Sequence, residues 1–413
     1  MLIIPHADHN LIIMKTSLLS PSCEARIRTT EGGEKMKSIA STSQGLATTT
    51  MLCGAVAMAF GLAGVPQSAR AASADNTATS VSAFGGMDGL IAAAKKEGEL
   101  NVIALPPDWA NYGEMIKTFQ TKYGIKVNSA QPDADSQDEL NAAKRLLGQN
   151  RAPDVFDLGI NVALSAVSTF APYKVAGWGD IPDNLKDANG AWFADYGGYA
   201  SIGYDAKQVP AITNVADLLK PEFKGKVALN GNPTRASAGF HGVMMASLAN
   251  GGSADDIAPG VEFFKKLHQA GNMLPVDPTP ATIASGQTPV VIDWEYLNLA
   301  QSKTLKGSID WKVVVPPGGP VGAYYVQAIN KDAPHPAAAR LWQEFLYSDE
   351  GQNIWLQGFG RPVRLDAMTK AGTVDKTAIG QLPQVDGKPV VLSQDQLKKA
   401  QDYLKEHWDQ AVQ

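Results

Sequence analysis

Aromatic and carboxylate side chains recur in this chain directly after short apolar runs that have the character of buried β-strands. The candidates are Asp108, Trp109, Tyr112, Asp293, Trp294, Glu295 and Tyr325. An aromatic face attracts an organic cation, and a neighbouring carboxylate supplies the opposite charge. The combination predicts a site for a cationic organic ligand. The alternative for Trp109 or Trp294, each taken singly, is an ordinary buried aromatic.

A second set of polar candidates lies at other strand ends and at the start of a predicted helix. They are Ser165, Asn232, Thr234 and Ser237, with Arg235 inside the helix-opening segment. The free N–H groups at a helix N-terminus bind anions such as carboxylate, phosphate or phosphonate. The alternative is a plain N-cap by Thr234 or Asn232 beside a solvated arginine.

The sequence contains none of the familiar motifs of catalysis or metal binding. The string at residues 235–239 lacks the first glycine of a nucleophile elbow, and no Walker loop, dinucleotide fingerprint or zinc-protease motif occurs. Tyr324 and Tyr325 are neighbours on a predicted strand, so they should point to opposite faces and chelate a metal poorly. Asp154 and Asp157 should likewise face apart. We expect no cofactor, no metal and no catalysis; the alternative is an exported hydrolase or lyase that uses cleft carboxylates.

The elements that would position these residues alternate between strands and helices. Strands are predicted at 100–105, 125–127, 154–158, 200–204, 225–229, 289–292, 311–315 and 325–329. Helices are predicted at 87–97, 112–123, 136–147, 215–219, 257–270, 336–347 and 395–411, and another begins after Thr234. This order is typical of an α/β fold with a parallel sheet, in which ligands bind outside the carboxyl ends of the strands.

The first 71 residues have the features of a secretory signal. The run Met51–Val65 is apolar and nearly charge-free, and Ala69-Arg70-Ala71 matches a small-x-small cleavage site. Its length falls short of the roughly 20 residues that a membrane-spanning helix needs, and its glycines suit a buried helix poorly. We expect a mature chain that begins near Ala72, with Met36 as an alternative start to Met1.

Composition favours an exported protein. Both cysteines, Cys23 and Cys53, precede the expected cleavage site, so the mature chain would hold no disulfide and no thiol nucleophile. A large disulfide-free exported protein fits the bacterial periplasm. The full chain has 36 basic and 41 acidic residues, of which six and four lie in residues 1–71. The mature chain would therefore carry a net charge of −7. This charge and the lack of a basic run make nucleic acid an unexpected partner.

Four segments resemble the periplasmic solute-binding proteins of ABC importers, in the broad family that includes iron(III), thiamine, polyamine and phosphonate binders. Residues 153–159 (PDVFDLG) are similar to the family's "PDV-D" string, and residues 216–227 (ADLLKPEFKGKV) to its "DL–P–KGKV" segment. Residues 314–319 (VVPPGG) resemble its "P-x-x-G" crossover, and residues 333–352 its "APHP–A–FL-S–GQ" helix pair. The likeness covers nearly all of the chain after residue 71.

The resemblance implies a type II periplasmic binding protein fold, with two α/β lobes, two crossover strands and the ligand in the interlobe cleft. Lobe 1 would comprise 72–198 and 312–345, and lobe 2 would comprise 199–311 and 346–413. The crossovers would lie near 199–204 and 313–325.

The resemblance also bears on ligand and partners. Ferric binders of this family carry a tyrosine pair where this chain has residues 293–296, and its absence favours a cationic amine or polyamine-like solute. A phosphonate or iron(III) is the alternative. The implied partners are an inner-membrane ABC permease and its ATPase, and we expect a monomer.

Overall fold

The computed structural model describes residues 74–318, 320–383, 385 and 389–413. The predicted signal segment, both cysteines and both candidate start residues lie outside the described residues. The strands are β1 Glu99–Ile103, β2 Lys126–Ala130, β3 Val155–Gly159, β4 Phe170–Ala171, β5 Phe193–Asp205, β6 Val227–Leu229, β7 Val290–Trp294, β8 Trp311–Val314, β9 Gly322–Asn330 and β10 Arg361–Pro362. Each strand predicted from the apolar runs is present with shifts of up to three residues at the ends, except that β5 begins seven residues before the predicted 200–204; β4 and β10 were not predicted.

The helices also follow the predicted order. They are α1 Ala74–Thr77, α2 Met87–Glu97, α3 Tyr112–Tyr123, α4 Ser136–Arg145, α5 Ile160–Ala163, α6 Ser237–Ala249, α7 Ala258–Gln269, α8 Pro280–Ala284, α9 Glu295–Thr304, α10 Pro336–Leu346, α11 Asp349–Gln357, α12 Leu365–Ala371, α13 Lys376–Ile379 and α14 Gln394–Val412. The predicted helix at 215–219 is a 3₁₀ helix. Further 3₁₀ helices cover Val81–Phe84, Val167–Thr169, Trp178–Asp180, Asp183–Leu185 and Pro221–Phe223. Within the described ranges, no helix has both the length and the apolar character needed to cross a bilayer.

Local signals explain where the helices beside the site begin and end. The Asp135 side chain caps α4 by accepting a 2.8 Å hydrogen bond from the Asp138 N–H. Gly124 ends α3 with a φ of 69°, a left-handed conformation that glycine adopts without steric cost. The first turn of α4 is therefore held at a fixed position after β2.

The sheet is mixed, which corrects the expectation of a parallel one. The main sheet has the order β3-β9-β5-β7-β6, with β10 and β8 on β5 and β4 on β9. The β3–β9, β5–β9 and β5–β7 ladders are antiparallel, whereas β6–β7 and the separate β1–β2 pair are parallel. The reason is that β5 carries the chain out of one core and β9 carries it back, so these neighbours run in opposite directions.

Two large hydrophobic cores lie along this sheet, with a small third cluster around Val291 and Trp311. The first contains Phe119, Phe156, Trp342, Phe345 and Trp355. The second contains Ile202, Phe240, Met244, Phe264 and Trp408. Strand β5 passes between them, because Phe193 and Tyr196 pack in the first core while Ile202 and Tyr204 pack in the second.

One segment packs differently from the sequence expectation. Residues from Tyr347 to Leu382 contribute to the first core, although the sequence reasoning assigned residues after 345 to lobe 2. The reason is that α11 packs against α10 and α3. The chain enters the second core only with Leu392 and α14.

Candidate functional site

A cavity of about 630 Å³ lies among the strand ends; we call it the cleft. Its lining combines the loop after β1, the first turn of α4, the segment before α6, the carboxyl end of β7 and part of α9. Six of the sequence candidates line it: Asp108, Trp109, Asn232, Ser237, Asp293 and Tyr325. The fold thus brings together residues that are separated by up to 217 positions in the sequence.

Aromatic rings form one wall of the cleft. The Trp109 ring meets Tyr325 at a centroid distance of 5.7 Å and Tyr296 at 6.1 Å, both edge to face. Tyr196 stacks parallel to Tyr325 at 5.8 Å. Tyr324, the neighbour of Tyr325, lines a separate cavity instead, as the alternation of a strand predicts. Trp109 and Tyr325 are the aromatic side chains of this wall that line the cleft.

A buried polar network lies beneath the Trp109 ring. The Trp109 Nε1–H donates a 2.7 Å hydrogen bond to the Tyr196 hydroxyl oxygen. The Tyr196 and Tyr112 hydroxyls in turn donate to Oδ2 of Asp157, at 3.1 Å and 2.8 Å. Gln327 donates to Asp195 at 2.8 Å and to the Tyr112 hydroxyl at 3.2 Å. These bonds fix the position of the Asp157 carboxyl group, which lines the cleft.

The cleft is strongly acidic. Among its described lining residues are eight carboxyl side chains and one basic side chain: Asp108, Asp133, Asp135, Asp138, Glu139, Asp157, Asp277 and Asp293, against Arg235. Asp157, Asp293 and Glu139 are buried, with exposed fractions of 6%, 8% and 1%. Acidic side chains therefore outnumber basic ones in the described lining of the cleft.

Burial shifts the titration of these carboxyl groups. It raises the pKa of Asp293 to about 7, although hydrogen bonds from Asn230 and the Trp294 N–H act to lower that pKa. It raises the pKa of Asp157 to about 6, and that of Glu139 well above its usual range. Burial and the neighbouring Asp157 charge also hold the pKa of Asp195 well above its ordinary value. Each shift has burial as its largest cause, because no basic side chain offsets the loss of hydration.

Arg235 is already engaged by carboxylates. Its Nε lies 2.9 Å from Oδ2 of Asp135, and one terminal nitrogen lies 2.7 Å from Oδ1 of Asp138. The sequence predicts that Arg235 either binds an anionic ligand or is solvated, whereas the structure pairs it with two carboxylates of the protein. Helix α6 begins at Ser237 after Ala236, with no side-chain cap, so neither alternative N-cap residue caps it.

Five sequence candidates lie away from the cleft lining: Tyr112, Ser165, Thr234, Trp294 and Glu295. Tyr112 is fully buried and contacts Asp157, and Trp294 lies behind Tyr325 with its ring stacked on Tyr296. Ser165 is exposed and donates to the Val162 carbonyl.

The remaining two candidates have protein partners of their own. The Thr234 hydroxyl donates to Asn232. Glu295 is fully buried and pairs with Arg361 at 3.1 Å. In the described conformation these side chains support the site or lie outside it.

Sequence reasoning missed most of the carboxyl groups. Asp157 entered only as one half of a rejected acid/base pair with Asp154. Asp135 and Asp138 have the ordinary signature of a helix N-terminus, which gives no hint of a cleft. A usable signal was the density of acidic residues at 133–139, which covers the turn before the predicted helix at 136–147 and its first turn.

The chain matches a family model over residues 154–384, which is described as "Bacterial extracellular solute-binding protein". Solved structures with the same fold include the ferric binding protein from Campylobacter jejuni, at 20% identity and a TM-score of 0.56, covering 76% of this chain and 99% of that one. The binding protein AfuA from Actinobacillus pleuropneumoniae, with fructose-6-phosphate bound, has 17% identity and a TM-score of 0.57, covering 76% and 98%. A protein assigned as a spermidine/putrescine ABC transporter from Listeria monocytogenes has 15% identity and a TM-score of 0.57, covering 76% and 98%.

Proposed function

We propose that this chain, which belongs to the family of bacterial extracellular solute-binding proteins, captures a cationic organic solute for an ABC importer. The solute class is an amine, and the acceptor is an inner-membrane permease driven by an ATPase. Under this proposal the protein is exported to the periplasm and acts as a monomer. No bond of the solute is made or broken.

The observation that carries the proposal is the set of buried carboxyl groups without a basic partner. Asp157, Asp293 and Glu139 receive hydrogen bonds from neutral donors, and none of them has an ion pair with a described basic side chain. A buried carboxylate is costly unless a cation compensates it. A bound ammonium group would supply that charge, and the Trp109 and Tyr325 rings would add cation–π attraction.

The two hydrophobic cores support capture by closure. We treat each core as one lobe, with the cleft between them and with β5 and β9 as the connecting strands. Gly159 of β3 approaches Ser237 of α6 so closely that an added Cβ would lie 2.5 Å from the Ser237 Cβ. A ligand that contacts both lobes would favour the closed state through its better contacts there.

An anionic solute is the second candidate. Ser237 and Ala238 line the cleft at the N-terminus of α6, which lacks a side-chain cap, and such N-termini bind anions. The eight carboxyl groups of the lining oppose a net anionic ligand, so we rank this candidate below the cation.

The test is calorimetric titration with a panel of solutes. The panel contains n-butylamine, 1,4-diaminobutane and spermidine as cations, fructose 6-phosphate and methylphosphonate as anions, and ferric citrate. We expect a saturable heat from an amine, weakened at least tenfold by Asp293→Asn because a charge-assisted contact contributes about 1.5–3 kcal/mol. The matched control is Asp88→Asn, an exposed acid in the first turn of α2.

The outcomes separate the candidates. Binding of fructose 6-phosphate or methylphosphonate without amine binding would support the anionic alternative, and ferric binding would support iron. Conversion of a titrated amine to a product of different mass would support the hydrolase or lyase.

A further inference from the structure

We infer that Arg235 sets the charge preference of the cleft, so that a solute with one cationic group is favoured over a diamine of the same length. The inference rests on the proposed function, because it concerns which cation the same cleft accepts. In this assignment the Arg235 guanidinium occupies a second cation position, which a distal ammonium group would otherwise take.

The contacts of Arg235 define that second position. The residue precedes α6, whose Phe240 and Met244 pack in the second core. Its partners Asp135 and Asp138 belong to the start of α4, whose Leu140 packs in the first core. The guanidinium therefore reaches from one core to carboxylates carried by the other, and all three side chains line the cleft.

The carboxyl groups of the cleft fall into two sets. Asp157, Asp293 and Glu139 are buried and pair with no described basic side chain, so no described side-chain cation competes with a ligand for them. Asp135 and Asp138 share the Arg235 guanidinium, which compensates their charge. Asp108, Asp133 and Asp277 are exposed, and water and salt screen exposed charges.

A diamine would meet two different environments in this cleft. One ammonium group would pair with the buried set beside Trp109. The other would approach carboxylates that already hold a guanidinium, and would be repelled by that positive charge. Removal of the guanidinium would leave two neighbouring carboxylates without a partner, which is a subsite for a second ammonium group.

Arg235 is suited to be displaced or substituted without unfolding the protein. Its side chain is 45% exposed, and exposed ion pairs contribute little to stability. Other hydrogen bonds also hold the segment before α6 in place. Gln401 of α14 donates a 2.7 Å hydrogen bond to the Thr234 carbonyl oxygen and accepts a 3.2 Å hydrogen bond from Asn161.

The experiment compares n-butylamine with 1,4-diaminobutane, two probes with the same number of carbon atoms that differ by one ammonium group. Dissociation constants are measured by calorimetry for wild type, Arg235→Gln, Arg235→Lys and the control Arg151→Gln, an arginine that lies outside the cleft lining. We expect Arg235→Gln to shift the ratio of the two constants at least tenfold toward the diamine, which corresponds to about 1.4 kcal/mol. Arg235→Lys keeps the positive charge and should keep the wild-type ratio, as should Arg151→Gln.

Three results would overturn the inference. If Arg235→Gln weakens both affinities alike and leaves the ratio of the two dissociation constants unchanged, Arg235 connects the lobes and has no role in charge preference. An equal shift of the ratio in Arg235→Lys would assign the effect to shape. Failure of both probes to bind wild type and Arg235→Gln would overturn the proposed function together with this inference, and is distinguishable from the first two results.

Discussion

The Nε atom of Arg361 lies 3.1 Å from Oε1 of the fully buried Glu295 carboxylate. Burial raises the pKa of Glu295 to about 7, and Arg361 opposes that shift. The Arg361 guanidinium also lies over the Tyr199 ring at 4.9 Å. This carboxylate is two residues from Asp293 in the sequence, yet it has a basic partner, whereas the described contacts of Asp293 are with the neutral donors Asn230 and the Trp294 N–H.

The first prediction concerns these two acids. We expect Glu295→Gln to change amine affinity by less than about twofold, whereas Asp293→Asn weakens it at least tenfold, as a lost charge-assisted contact of about 1.5–3 kcal/mol implies. Calorimetric titration of both variants with n-butylamine checks the difference. An equal loss in the two variants would show that Glu295 contacts the ligand directly.

The second prediction concerns pH. Burial raises the pKa of Asp293 to about 7, and a cation binds the ionised carboxylate better than the neutral acid. Affinity should therefore rise with pH, by about tenfold between pH 6 and pH 8 for one carboxyl group that titrates near 7. Titrations in two buffers of different ionisation enthalpy should show proton release near pH 6.5, reduced in Asp293→Asn. Proton uptake on binding would contradict the assignment.

The third prediction tests closure of the cleft. In Gly159→Ala the new methyl group would lie 2.5 Å from the Ser237 Cβ, so the two lobes should be held apart. We expect affinity to fall by about tenfold, or 1.4 kcal/mol, with a larger radius of gyration of the saturated protein in X-ray scattering. Gly179→Ala is the matched control, because an added Cβ there meets nothing within 4 Å. Equal affinities of the two variants would mean that these elements need not approach for binding.

The fourth prediction concerns stability and uses a buried histidine remote from the cleft. Burial disfavours the charge of His335, but its hydrogen bond to Asp154 at 2.9 Å and the carboxylates of Asp154, Glu99 and Glu97 outweigh burial and raise its pKa. A raised folded-state pKa stabilises the protein fully below the unfolded value of about 6.5, and this stabilisation is lost as pH rises through the folded value.

The free energy of unfolding should therefore differ most between wild type and His335→Gln below pH 6.5, and the difference should narrow as pH rises. Urea denaturation at a series of pH values checks this behaviour. Glu97 and Asp154 also have raised pKa values, and both lose the lowering contribution of His335 in the variant, so the difference reports the imidazole together with these carboxyl groups. A difference that is constant with pH would mean that the imidazole has the same pKa in the folded and unfolded states, and a wild type that gains stability relative to the variant as pH rises would mean that burial keeps the histidine neutral.

The sequence predicted the elements well because apolar runs and glycine stops are local signals. Six of its candidate residues line the cleft, because the loops that follow β1 and β6 and the end of β7 meet there. Trp294 and Glu295 lie outside that lining, because α9 begins at Glu295 and the backbone turns there. No local rule reveals that turn or the Arg361 partner, which is 66 residues further along the chain.

The sheet direction and the acidic lining depended on tertiary structure. Strand order alone does not distinguish a parallel sheet from one in which β9 returns between β3 and β5. The carboxylates of α4 resemble a normal helix start until the fold places them against Arg235. Asp157 becomes a candidate only once Tyr112 and Tyr196 are seen to hold its carboxyl group.

The central claim is that the cleft binds a cationic organic solute. The most direct test is native mass spectrometry of the protein exported by a bacterial host and purified from its periplasm, with Asp293→Asn and Asp88→Asn prepared in parallel. We expect a nitrogen-containing organic adduct in wild type and Asp88→Asn that is lost from Asp293→Asn. A phosphorus-containing or iron adduct retained in Asp293→Asn would contradict the cationic assignment.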